Sequence, residues 1–531
     1  MKRNSFFKSR TFRYGAAATA LTAAFIAVVI ILNVVFTALC NHYLWYADMT
    51  EEEVFTLTES TKDYLGDIDD EIVIYFCADE DVVKNDSALR YVYNTASLIA
   101  DESPNISVEC HNIRVEKALF EKFKSYTATG ISSSSVIIYD KTSGIARVPN
   151  YMNFFITDED GETVWAYNGE YRFVSYILQV TTAETPIAYF TVGHGEDVTE
   201  GLGVEVVDGV AKYPGAYPLA TLFADAGYDV RTIDLTREAI DPDGKIIVIF
   251  DPAYDFVGYA EAERADGNEI EKLNEFLTVG DNALFVFGDY THSAAFKREN
   301  GVPKSNLAEL LDEWGIAYEE GSQIRDYGHA RSVDGLTLQP QYGKDTLGSS
   351  LYKELSNLSS MPMTAIRNSM SLLLTRGARF DRNNYDSVDV SPILQSYPTS
   401  ALLLGGEEIG GGSYNLAVLS RSCRQVEDKS EFGNYTVTYR YSYIVAFGSP
   451  TFAASSYLYS NVYANRDILL TTLTAVGRDT KLANIDFKAL DDTAITVTTA
   501  EAHLWTALMT LALPLVFAAC GIVVCTRRKH S

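Results

Sequence analysis

The residues best placed to do chemistry are Gly193-His194-Gly195-Glu196-Asp197, which follow directly on the apolar run PIAYFTV at 186–192. An imidazole beside two carboxylates can serve as a general base, or can share a divalent metal with carboxylates at neighbouring strand ends. Asp251 after KIIVIF and Asp289 after ALFVFG end two such strands, and His292 lies three residues further on. His194, Glu196, Asp251 and His292 can be drawn as a metal cluster, but their spacing fits no metal-binding motif. Asp and Gly at strand ends are also ordinary turn formers. The preferred reading is structural or ligand-contacting. It makes His194, Glu196, Asp197, Asp251 and Asp289 candidate ligand-binding residues, and assigns no catalytic residue, metal or cofactor. The chain contains no GxSxG nucleophile elbow and no Walker A loop. Gly405-Gly406-Glu407-Glu408 with Gly410-Gly411-Gly412 reads as a flexible loop, because its carboxylates repel a phosphate. The 34 tyrosines form no cluster that names a sugar site.

Stepping outward, these residues sit in a pattern of apolar strands alternating with helices. Strands are expected at 186–192, YDVRTIDL, 245–251 and 283–289, with helices at 217–227, 261–278 and 305–315. This alternation predicts a doubly wound, mostly parallel α/β domain over 170–480, with a polar insertion near 320–385. Strand material returns at 415–420 and 436–448, and a helix is expected at 465–476. Before this domain, 46–165 reads as a smaller β-α-β-α-β-β unit with a thioredoxin-like outline. Its strands are expected at 71–77, 106–110, 135–140 and 145–150. Redox chemistry fails there, since CADED follows the first strand without a second cysteine. A Cys77–Cys110 bridge and free buried thiols both remain open, each cysteine closing a predicted strand.

The chain has 531 residues and a formal net charge of -28, from 71 acidic and 43 basic residues. That balance argues against nucleic acid as a partner. All the acids lie between 46 and 503, whereas the ends carry only bases, including Lys2, Arg3, Arg527, Arg528 and Lys529. Residues 15–40 form an uncharged run of 26, and 504–525 one of 22. The first would reach roughly 39 Å as a helix, enough to cross a bilayer core of ~30 Å. It is also about twice the length of a signal-peptide core, with Leu39 too large for a lipoprotein cleavage site. Both runs therefore read as transmembrane helices. The positive-inside rule puts the basic tails 1–14 and 526–531 in the cytoplasm and about 41–503 outside, with 481–503 as a linker. Trp45, Tyr46 and Trp505 fall at the outer interface in this scheme. The expectation is a two-pass cell-membrane protein with both termini cytoplasmic.

The order of these pieces resembles the GldG-type auxiliary component of ABC transport systems, a family named after a gliding-motility subunit. The resemblance is carried by ADMTEEEVFTLTESTKDYLGDIDDEIVIYF (47–76) and by VTTAETPIAYFTVGHGED (180–197), whose GHGE is its most recognisable part. NLAELLDEWGIAYEEGSQIRD (306–326), VSPILQSYPTSALLL (390–404), and YIVAFGSPTF with NRDILLTTLTAV (443–476) follow in the family's order. The final span with its RRK completes the series. The resemblance implies a non-enzymatic, two-span subunit working with a separate ATP-binding subunit and a multi-span permease. The family's middle domain is also similar to a domain of intraflagellar transport subunits for which sugar binding has been suggested. That points to residues 193–197 and the neighbouring strand ends, and makes envelope polysaccharide a candidate partner. The long region 320–385 departs from the commoner pattern. Gliding itself does not follow from the resemblance. Two other classes stand beside this one: a membrane-tethered glycan-binding module without an ABC partner, and a tethered hydrolase using the GHGED loop.

Overall fold

A computed structural model describes most of residues 56–489. It leaves out 128–129, 158–163, 183–184, 259–267, 289–297, 345–352, 354–362, 376–386, 430–434, 477–484 and a few shorter stretches; beyond that range it describes only residues 27, 28, 30 and 31. Leu57–Ser531 forms one compact unit and Met1–Thr56 another. Among the described residues no helix is long and apolar enough to cross a membrane. Apart from the helical positions 27, 28, 30 and 31, both expected spans lie outside the described residues, as do Trp45, Tyr46 and Trp505.

The class is mixed α/β. The first sheet holds β1 (Ile72–Phe76), β2 (Ile106–Cys110), β3 (Val136–Asp140) and β4 (Ala146–Arg147) in the order β2-β1-β3-β4. β1 runs parallel to β2 and antiparallel to β3. Every residue of β1 is buried, as an unbroken apolar strand covered on both faces must be. Val73, Tyr75 and Cys77 pack with Phe120 and Phe123 on one face. On the other, Phe76 meets Tyr93 of the helix α2 (Leu89–Glu102), which follows α1 (Glu59–Gly66). Phe76 is in register with Cys110. Because neighbouring residues on a strand point to opposite faces, Cys77 and Cys110 look away from each other, and both thiols are free. The possible bridge between them is thereby excluded.

A helix, α3 (Gly169–Thr181), packs on both β3 and α4 (Tyr217–Asp225), and so joins the first sheet to the second. Among the described residues the second sheet has ten strands. Five are parallel: β5 (Ile187–Thr191), β6 (Asp229–Ile233), β7 (Gly244–Phe250), β8 (Asn282–Phe287) and, after the intervening β9 (Asn415–Lys429), β10 (Tyr435–Phe447). Their order, β6-β5-β7-β8-β10, is that of a flavodoxin-like doubly wound sheet. Helices cover both faces. Ile187, Tyr189, Ile247, Ile249, Leu284 and Val286 pack with Leu273 and Phe276 of α5 (Glu269–Val279) and with the fully buried Trp314. On the opposite face Phe223 of α4 meets the rings of Phe190 and Phe285. Each such side chain contributes about 1.5–3 kcal/mol by leaving water, which makes this sheet the main source of stability.

Three expectations need correction. The sheet is not mostly parallel: β9 pairs antiparallel with β10, and the strands beyond it are antiparallel too. A direct hairpin return from β9 permits nothing else. The region 320–385 is not simply an insertion, since Leu372–Leu374 joins the main sheet and Ser322–Arg325 pairs with Ala401–Leu404. The glycine-rich stretch at 405–412 is not a flexible loop either. Ala401–Leu404 turns back on Glu407–Gly411 through Gly405 and Gly406, both at positive φ, as a two-residue type I′ hairpin demands.

Candidate functional site

In the order β6-β5-β7, the chain leaves β5 toward β6 on one side, and leaves β7 toward β8 on the other. The loops after β5 and β7 therefore diverge, which opens the crevice where doubly wound folds bind ligands. Residues 193–197 leave the end of β5 at this point, and 251–257 leave β7 beside them. Two glycines make the approach possible. Gly193 and Gly195 both have positive φ, and a Cβ on Gly195 would stand 2.8 Å from that of Ala253. The backbone amides of Ala253 and Tyr254 both donate to the carbonyl of His194, at 2.8 Å each.

The imidazole of His194 is 5% exposed and occupied on both sides. Its Nδ1 lies 3.2 Å from Glu196 Oε1, and its Nε2 lies 2.9 Å from Glu269 Oε2. The backbone N–H of His194 donates to Glu196 Oε2 at 2.7 Å, and that of Val257 donates to Glu269 Oε2 at 2.8 Å. The ring of Phe256 is stacked on the imidazole at 3.9 Å. Burial by itself would push this histidine down. The two carboxylates outweigh it and hold the pKa up at about 9, so the ring is an imidazolium at neutral pH. Burial likewise works to raise Glu196, and the His194 cation overcomes it, leaving the carboxyl below its usual value. Both ring nitrogens are thus committed to the protein's own carboxylates. His194 is a clamp that ties the loop after β5 to the first turn of α5.

The other predicted residues scatter. Asp197 is exposed and turns toward the start of α4, where its Oδ2 would stand 2.5 Å from a Cβ on Gly215. The Ala216 amide at the cap of α4 donates to the backbone carbonyl of Asp197 at 3.1 Å. Asp251 sits in the left-handed region at φ 50, with its amide donating to Phe287 O at 2.9 Å, so it serves as the turn after β7. Asp289 and His292 lie outside the described residues. The exposed Tyr254 lies against Gly195 of the loop, and the exposed Tyr213 packs on Tyr217 of α4. Among the described residues no group of three or more His, Cys, Asp or Glu side chains could hold a metal ion. Glu269 was not foreseen. It lies 75 positions from His194, and only its place in the first turn of a helix after Asn268, a capping residue, marked it in the sequence.

No protein-family model matches the chain, and no curated protein is recognisably similar to it. Among solved structures, the mmIFT52 N-terminal domain aligns over 55% of this chain and 96% of its own length, at 11% identity and a TM-score of 0.33. That likeness is too weak to carry an argument.

Proposed function

We propose that this protein is a non-enzymatic auxiliary subunit of an ABC-type transporter. In this reading 15–40 and 504–525 anchor it in the cell membrane with both termini cytoplasmic. Residues of about 41–503 form an extracytoplasmic region, a thioredoxin-like unit followed by the doubly wound domain. It works with a separate ATP-binding subunit and a multi-span permease. The anchoring rests on the partition of charge and on the two uncharged runs. The binding role rests on one observation above the others: the GHGED loop lies at the crossover crevice, yet its histidine is locked as a buried cation between two carboxylates. Such a loop shapes a surface, with its histidine committed to holding it in place. A capture of the tagged full-length chain in mild detergent tests the reading. Co-purification of an ATP-binding subunit and a permease is the expected result, and a chain that emerges without them overturns it.

A second reading, a tethered module for envelope polysaccharide without an ABC partner, is favoured by Tyr254, which is 56% exposed against Gly195 at the crevice. It expects the full chain to bind cell-wall glycan in the absence of partners, and expects Tyr254→Ala to weaken that binding. Glycan retention equal in the variant and the parent counts against it.

A further inference from the structure

We propose that Glu170 is a latch coupling the two ends of the described outer region to each other and to the helix that joins its two sheets. Glu170 is 3% exposed and opens α3. Its Oε1 accepts from the backbone N–H of Thr58 at 2.6 Å and from the Thr58 hydroxyl at 2.7 Å. Its Oε2 faces the Lys488 ammonium at 3.2 Å. Thr58 is the N-cap of α1, the first helix of the described outer region. Lys488 belongs to its last described strand, Lys488–Ala489, which pairs with Tyr167 and Ala166 just before α3. Segments more than 400 residues apart thus end on the two oxygens of one carboxylate.

The rest of α3 carries the connection inward. Arg172 makes an ion pair with Asp225 of α4, and the Ser175 hydroxyl donates to Asp225 O at 2.9 Å. Gln179 accepts from Arg147 Nε of the first sheet at 2.9 Å. Behind the strap at 488, Ile485 is fully buried, and its carbonyl accepts from Arg466 at 2.7 Å. The two Thr58 donors hold one oxygen and the Lys488 ammonium balances the buried charge on the other by ion pairing alone, so loosening one side leaves the charge poorly compensated and weakens the grip on the other. Displacement of either end then reaches the joint between the sheets. Its use, relaying partner movement to the outer region, rests on the transporter reading above. The coupling itself does not.

Hydrogen exchange of the full-length chain in detergent tests it, with Lys488→Met and Thr58→Ala set against Lys62→Met, a change on the exposed side of α1. Lys488→Met is expected to raise exchange about tenfold in α1 as well as around 485–489, and Thr58→Ala to raise it around 485–489 as well as in α1. Increases confined to each variant's own segment overturn the proposal, as does an equal effect from Lys62→Met. Should Lys488→Met fail to fold, Thr58→Ala decides through exchange around 485–489 alone, because the hydroxyl it removes also caps α1 and loosens that helix directly. A chain that shows the coupling but captures no permease keeps this inference and loses the transporter reading.

Discussion

His194 is held on both ring nitrogens, by Glu196 and by Glu269, so its titration should be visible in stability. The folded pKa of about 9 lies above the ordinary 6.5, so the native state holds its proton more tightly than the unfolded chain does. The contribution, on the order of 3 kcal/mol, is complete below pH 6.5 and is lost progressively as pH rises through about 9. The depressed Glu196 works in the other direction, and its share is lost as pH falls below the usual carboxylate range. Denaturant midpoints measured from pH 4 to 10 should therefore fall on both sides of a maximum near pH 6. His194→Asn should remove the alkaline limb and cost about 3–5 kcal/mol, since it strands two buried carboxylates. A variant of unchanged stability, with the alkaline limb intact, would refute the clamp. The loop that carries His194 was legible in the sequence, because glycines and acids after a buried strand mark a turn leaving the sheet. Its role was not legible, because the partner that occupies Nε2 comes from a distant helix.

At the scale of elements, strand parity decides the cysteines. Cys77 packs with Phe120 and Phe123, while Cys110 shares its register position with Phe76 and so faces the α2 side. Burial pushes both thiols up to about 12, which leaves almost no thiolate at neutral pH. In the native chain both should resist alkylation, and after unfolding without reductant both should label fully. Loss of label at these two positions that reductant restores would mean a bridge and a different register. Long strands such as β1, β5, β7 and β8 were readable, because four or more apolar residues in a row mark a strand buried on both faces. The strands at 337–338, 366–367 and 372–374 were not, because two or three residues hold too little pattern to show a period. The hairpin at 405–406 was hidden for a different reason: paired glycines serve both a mobile linker and a type I′ turn, and only the flanking strands tell them apart.

Over the whole molecule, the ion pair of Arg172 with Asp225 fastens the connecting helix to the larger sheet with both side chains largely buried. Asp225→Ala leaves that guanidinium without its counter-charge and should cost about 3–5 kcal/mol. Calorimetry of the parent chain is expected to show the two sheets of the compact unit melting together, and of the variant to show two separate transitions. Two transitions in the parent would mean that α3 does not bind the sheets into one cooperative body. The sequence by itself determined the α/β class, the principal strands, the place of the GHGED loop and the partition of charge between ends and middle. Each is a local property, written in runs of neighbouring residues whose burial or solvation follows from their own chemistry. Only the tertiary structure decided that β5 and β7 lie side by side to open the crevice, that Glu269 closes on His194, and that Thr58 and Lys488 meet on Glu170. Those are contacts between residues tens to hundreds of positions apart, and no local pattern states which distant donor a buried carboxylate will find.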